Sequence, residues 1–172
     1  MFPCCDIMAK PKGGMDVSIE KVRAYFETLG IAERILEFDV SSATVDLAAQ
    51  ALGVEGKRIA KTLSFLVGEN CVLVVAAGDA RIDNSKFKGF FHVKAKMLPH
   101  DAVPEFIGHA VGGVCPFAVK NGVSVYLDRS LLRFQTVFPA CGSSNSAIEL
   151  TIDELERYSG FSEWVDVCKD WN

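Results

Sequence analysis

Two apolar runs rich in β-branched residues, Ile59–Val67 and Cys71–Ala77, lie either side of Gly68-Glu69-Asn70. Neither run alternates polar with apolar residues, so each predicts a strand covered on both faces. The short glycine-containing link predicts that the two form an antiparallel hairpin. A hairpin buried on both sides cannot stand alone. The rest of the chain has to supply the layers that cover it.

Those layers can be read on either side. Ser18–Leu29 places Val22, Phe26 and Leu29 at helical spacing, with Ser18 as a candidate N-cap and Gly30 as the stop. Arg34–Val40 reads as a short strand. Thr44 is a candidate cap for a helix ending at Leu52, with Gly53 in the left-handed position. Asn84–Phe91 predicts a helix capped by Asn84, and His100–Ile107 a shorter one limited by Pro104. Val123–Leu127, Thr136–Ala140 and Ala147–Leu150 read as strands. Thr151-Ile152-Asp153-Glu154 has the form of a capping box opening a helix to about Tyr158. Phe161–Trp171 is expected to add a further helical turn or two. The irregular order of helices and strands predicts an α+β domain on a mixed sheet rather than a doubly wound one.

A chain of 172 residues fits one domain with a self-sufficient core. Residues 1–17 read as a flexible N-terminal extension and 18–172 as the domain. Met1–Gly14 has no continuous apolar stretch of the kind a secretory signal carries, and no run approaches the ~20 residues of a membrane helix. The six cysteines have no C-x-x-C spacing and there are three histidines, so neither a zinc site nor any other metal is expected. Scattered cysteines in such a chain suggest a reducing, cytoplasmic setting. Net charge is −4, but Lys57–Arg133 holds eleven Lys and Arg against six Asp and Glu. A basic middle between acidic ends is compatible with gripping one end of an RNA, although Lys86, Lys88, Lys94 and Lys96 taken alone read first as an ordinary solvated face.

Three places could carry chemistry. Lys61 interrupts an apolar strand, so it either alternates outward or lines a cavity where its ammonium can meet a phosphate or an ester carbonyl. Gly112-Gly113-Val114-Cys115-Pro116 is a G-x-x-x-P segment. It suits a plain turn, or a loop whose amides face an anion and whose far end proline stiffens. Cys141-Gly142-Ser143-Ser144-Asn145 could supply amides and hydroxyls to a small substrate, or form a wide hairpin loop. Cys115 is a possible nucleophile with His109 six residues before it, though a structural cysteine is the leading reading. No Walker loop, G-x-S-x-G or dinucleotide fingerprint is present.

Ala60-Lys61-Thr62-Leu63, then Gly112–Phe117, then Cys141-Gly142-Ser143 with Ile148-Glu149-Leu150 and a closing acidic helix, occur in one order and spacing. This sequence of motifs, from about Val22 to Tyr158, resembles the YbaK/prolyl-tRNA synthetase editing-domain family. The resemblance implies a compact α+β domain with a mixed, barrel-like sheet flanked by helices. It also implies a deacylase that acts in trans on a mischarged tRNA, with tRNA(Pro) carrying alanine or cysteine as the expected substrate. Lys61 would then hold the terminal adenosine region, and Gly112, Gly113 and Pro116 would position the ester carbonyl. Thr44, Gly142, Ser143 and Asn145 would contact the substrate. Hydrolysis would use water or the ribose hydroxyl rather than a protein nucleophile, with no cofactor. The partners implied are the acceptor end of the tRNA and prolyl-tRNA synthetase, with no membrane. Two departures leave the amino acid open. Ala147 stands where cysteine-specific members resemble one another in an acidic residue, and Ala140-Cys141-Gly142 replaces a serine-glycine-glycine loop. A binding module without hydrolysis, and a hydrolase of another small ester or thioester, are the competing readings.

Overall fold

The computed structural model describes residues 16–172. The flexible extension expected for the N-terminus lies outside the described residues, except that Asp16 and Val17 open the first helix. In chain order the elements are α1 (Asp16–Thr28), β1 (Leu36–Glu37), α2 (Val45–Leu52), β2 (Ile59–Val67), β3 (Asn70–Ala77) and β4 (Arg81–Ile82). There follow α3 (Asn84–Phe91), α4 (Val103–Phe106), β5 (Ser124–Asp128), β6 (Thr136–Pro139) and β7 (Ser146–Ala147). The chain closes with β8 (Leu150–Thr151), α5 (Ile152–Ser159), β9 (Glu163–Val165) and β10 (Cys168–Lys169).

The hairpin forms as expected. β2 and β3 pair antiparallel from Ala60↔Ala77 to Val67↔Asn70. Gly68, at φ 65°, supplies the left-handed residue that turns the chain between them. Around it grows a six-stranded mixed sheet in the order β8-β6-β2-β3-β5-β9. The sheet curls into a half-barrel with helices against it. β3 is buried from Cys71 to Ala77, which is what its unalternating apolar sequence requires. Phe26 of α1 packs edge-on against Phe117 at 4.9 Å between ring centroids, and Phe65 of β2 lies 4.8 Å from Phe87 of α3. Fully buried aromatics thereby fix α3 to the sheet and α1 to the loop that precedes β5, each worth about 1.5–3 kcal/mol on transfer.

Local signals hold at several ends. Thr44 caps α2 through its side chain and Gly53 ends it at φ 68°. The Thr151–Glu154 capping box is complete. Five readings change. The expected 147–150 strand divides into β7 and β8, which pair with β1 and β6 respectively. The tail forms β9 and β10 rather than helix, because Tyr126↔Glu163 and Cys168↔Ile82 pairings reach it from distant strands. Only Leu36 and Glu37 of the expected 34–40 strand pair, against β7. α3 is capped by Asp83, whose Oδ1 accepts from both Ser85 and Lys86 amides, so Asn84 becomes its first helical residue. Ser18 lies inside α1 rather than at its cap, and its hydroxyl is used elsewhere.

Candidate active site

A cavity of about 530 Å³ opens between α2, the first half of β2 and the 111–114 loop. Its size falls within the ~300–1,000 Å³ of small-molecule sites. Lys61, Thr44 and Gly112 all line it. α2 is brought there by segment 38–44, which is clasped to the 144–147 turn. Phe38 N donates to Asn145 O at 2.8 Å, and Ser42 N donates to Ser144 O at 2.6 Å.

Lys61 is half-buried, and its ammonium donates to the carbonyl oxygens of Gly78 (3.2 Å) and Ala80. Burial pushes its pKa below the ordinary lysine value, and the nearby Cys168 and Asp79 oppose that shift. The 78–80 loop is itself fixed. Asp79 accepts a two-pronged pair from Arg133 at 2.6 and 3.0 Å, and the guanidinium lies over Phe134 and Trp171. The pairing holds the Asp79 carboxyl below its usual pKa.

The G-x-x-x-P loop divides its roles by residue. Gly113 N–H donates to Ala110 O at 3.1 Å, so this amide closes the turn instead of facing the cavity. A Cβ at Gly113 would lie 2.5 Å from the Gly142 carbonyl carbon, so glycine is needed here for close approach of two backbones. Gly112 and Val114 line the cavity, and among the described residues their amides donate to no protein acceptor. Pro116 is buried behind the loop.

Gly142 is buried at φ 93° and does not line the cavity. Ser143 and Asn145 face a separate cleft of about 440 Å³ that includes Glu20, Glu37 and Asp39. There Ser143 Oγ donates to Asn145 Oδ1 at 3.0 Å, and Asn145 Nδ2 donates to Phe38 O at 2.9 Å. Ser146, 2.7 Å from Ser143 between hydroxyl oxygens, lines the main cavity instead. Sequence reasoning missed Ser146 and also Thr62, whose buried hydroxyl has no partner among the described residues. The polar interruption Lys61-Thr62 in an apolar strand was the available signal for the latter.

The Cys115–His109 pair is not a nucleophile and base. Cys115 is fully buried, and burial pushes its thiol up to about 12. His109 Nδ1 accepts from the Cys115 amide at 3.3 Å, and burial lowers the imidazole to about 4. A His that stays neutral in the fold but binds a proton when unfolded makes stability rise with pH between about 4 and 6.5. The expected rise is up to roughly 3 kcal/mol across that window. Denaturant titrations at several pH values check it, and His109→Gln is expected to flatten the slope. Equal slopes in both proteins would show that His109 is not the titrating group.

Residues 40–158 match the family model of the aminoacyl-tRNA editing domain. The chain belongs to that family. It is 53% identical over 156 residues to YwhH of Bacillus subtilis, a protein described as uncharacterized, spanning 90% of this chain and 99% of that one. A proline–tRNA ligase of Thermosipho melanesiensis is 28% identical over 137 residues, 78% of this chain and 24% of the ligase. The chain thus spans about a quarter of that enzyme's length. Among solved structures, one reported as a proposed trans-editing enzyme for prolyl tRNA synthetase superposes with a TM-score of 0.79 at 28% identity, covering 94% of this chain and 99% of that chain. The hypothetical protein APE2540 superposes with a TM-score of 0.76 at 30% identity, covering 87% and 99%. No described helix is long and apolar enough to cross a membrane.

Proposed function

We propose that this chain is a free-standing deacylase that hydrolyses the aminoacyl ester of a mischarged tRNA, with tRNA(Pro) carrying a small amino acid as substrate. The observation that carries the reading is the convergence of the Lys61 stem, Thr44 and the unpaired Gly112 and Val114 amides on one cavity. In the proposed reaction the Lys61 ammonium anchors the terminal nucleotide. The Gly112 and Val114 amides receive the carbonyl oxygen as it gains negative charge. A water oriented by the neighbouring ribose hydroxyl attacks the carbonyl carbon, the bond to the ester oxygen of the ribose breaks, and that oxygen takes the proton the water gives up, which releases the free amino acid from the tRNA. An aminoacyl ester is already activated, so positioning and oxyanion stabilisation can supply the rate without a protein nucleophile. Gly113, Gly142 and Pro116 shape the loop, and Ser143 and Asn145 brace the turn that bears Ser146.

The RNA partner is supported by charge. Asn84–His100 contains four lysines and no acidic residue in a chain of net charge −4. Lys88, Lys94 and Lys96 are exposed there, and the segment runs beside β2 through Leu66 N–H to Lys96 O (2.9 Å) into Met97 and Leu98 at the cavity. Such a strip suits a phosphate backbone approaching the site. The reading is tested by deacylation of alanyl-, cysteinyl- and seryl-tRNA(Pro) by the wild-type chain. Turnover of one member is expected and identifies the amino acid. Binding without turnover on all three would replace the deacylase with a tRNA-binding module.

A further inference from the structure

We propose that Ser18, on α1, is a positioning residue that clamps the oxyanion loop to the neighbouring 141–145 turn. The inference rests on the deacylase reading for its catalytic consequence, and on geometry alone for the clamp. Ser18 is 2% exposed, and its one hydroxyl is used on both sides. It donates to Gly142 O at 2.6 Å and accepts from Ala110 N–H at 3.2 Å. Its two partners are 124 and 92 residues away in sequence, in two different loops.

Those loops meet at the site. Ala110 O holds the Gly113 amide at 3.1 Å. Gly113 in turn lies so close to Gly142 that a Cβ there would come within 2.5 Å of its carbonyl carbon. The Ser18 hydroxyl therefore closes a ring: Ala110 to Gly113, Gly113 against Gly142, and Gly142 back to Ser18. Gly112, which lines the cavity and whose amide has no acceptor among the described residues, is carried on the same ring. The fit leaves no slack, since a Cβ on Gly142 would lie 2.6 Å from the Ser18 carbonyl oxygen. A hydroxyl with both valences used in a buried position is costly to remove, because the two groups left behind have no water to turn to. α1 lies outside the 40–158 segment that matches the family model, so an element beyond that segment sets the geometry of the catalytic loop.

Ser18→Ala is the direct test. Alanine is the better helix former and fits the space, so α1 should survive the change. Two readouts are taken on the full chain. Amide hydrogen exchange is expected to speed at Ala110 and Gly113 by about tenfold or more, with β2 and β3 amides unchanged. On the tRNA that the wild type deacylates, kcat is expected to fall about tenfold with KM within twofold, the mark of a group that aligns the reacting atoms. Unchanged exchange overturns the clamp. Faster exchange spread across the whole sheet, with KM rising alongside, overturns it too, since that is a general loss of stability. Localised exchange with unchanged kcat overturns the catalytic consequence. If the wild type turns over no member of the tRNA panel, the deacylase reading fails, and the exchange pattern by itself then decides for or against the clamp.

Discussion

Lys61→Ala is expected to lower deacylation about 100-fold or more while the protein remains folded, the scale seen when one preorganised electrostatic contact is removed from a reacting centre. The size follows from where the charge sits. The ammonium is half-buried, and its pKa is depressed by desolvation, so it is held where water screens it weakly. Two of its three protons already go to the Gly78 and Ala80 carbonyls, on a loop fixed by the Asp79–Arg133 pair. That tether fixes the direction of the ammonium and leaves one donor for a ligand. Alanine removes the donor and also the apolar stem. Lys61→Met keeps most of the stem and serves as the control for packing. Both variants are expected to lose activity together, in single-turnover assays, with folding followed by denaturant midpoint. Normal turnover by Lys61→Met would mean that the ammonium does no more than tie down the 78–80 loop.

The sequence made that lysine visible but not its surroundings. A charged residue inside an apolar β-branched run is legible because it breaks a pattern. So are the Thr44 and Thr151 caps, which depend only on residues within one turn. The tail was misread for the opposite reason. Glu163–Val165 becomes a strand because β5, some forty residues earlier, offers it an edge, and no local pattern records that partner. Ser18 shows the same limit on a smaller scale. A serine ahead of an apolar periodic run looks like a cap, yet its hydroxyl is spent on residues 110 and 142. At Asp83-Asn84 either residue could cap, and only the geometry of the Asp83 carboxylate, accepting two amides, decides.

The candidate site divides along the same line. Motifs located the loops, but the division of labour inside each loop is tertiary. Gly112 and Gly113 are equivalent on paper. In the fold Gly112 lines the cavity with its amide unpaired among the described residues, and the Gly113 amide is consumed by Ala110 O. Ser143 and Ser146 are likewise both small and polar. They touch one another and yet line different clefts, because the turn between them is pinned by Asn145 to Phe38.

Gly142→Ala is expected to be among the most destabilising single substitutions in the chain, by about 3–5 kcal/mol, since it combines backbone strain with overpacking. Both costs are present in the geometry. The residue sits at φ 93°, where a side chain is strained whatever the space around it. The added Cβ would also meet the Ser18 carbonyl oxygen at 2.6 Å, its carbon at 2.8 Å and Ile19 N at 3.1 Å. All three atoms belong to the backbone of α1, so no rotamer change can relieve the contact. α1 would have to move, and with it Phe26, which anchors the helix against Phe117. Gly160→Ala separates the two terms. Gly160 ends α5 at φ 58° with nothing within 4 Å of its added Cβ, so that variant reports strain alone, about 1 kcal/mol. For a domain of this size each kcal/mol moves the thermal midpoint by roughly 2–4 °C, so the pair should differ by several degrees. Equal midpoints would show that α1 can step away from Gly142 at little cost. The contact between the N-terminal helix and the site loops would then be a loose one, and the ring that Ser18 closes would have to be given up with it.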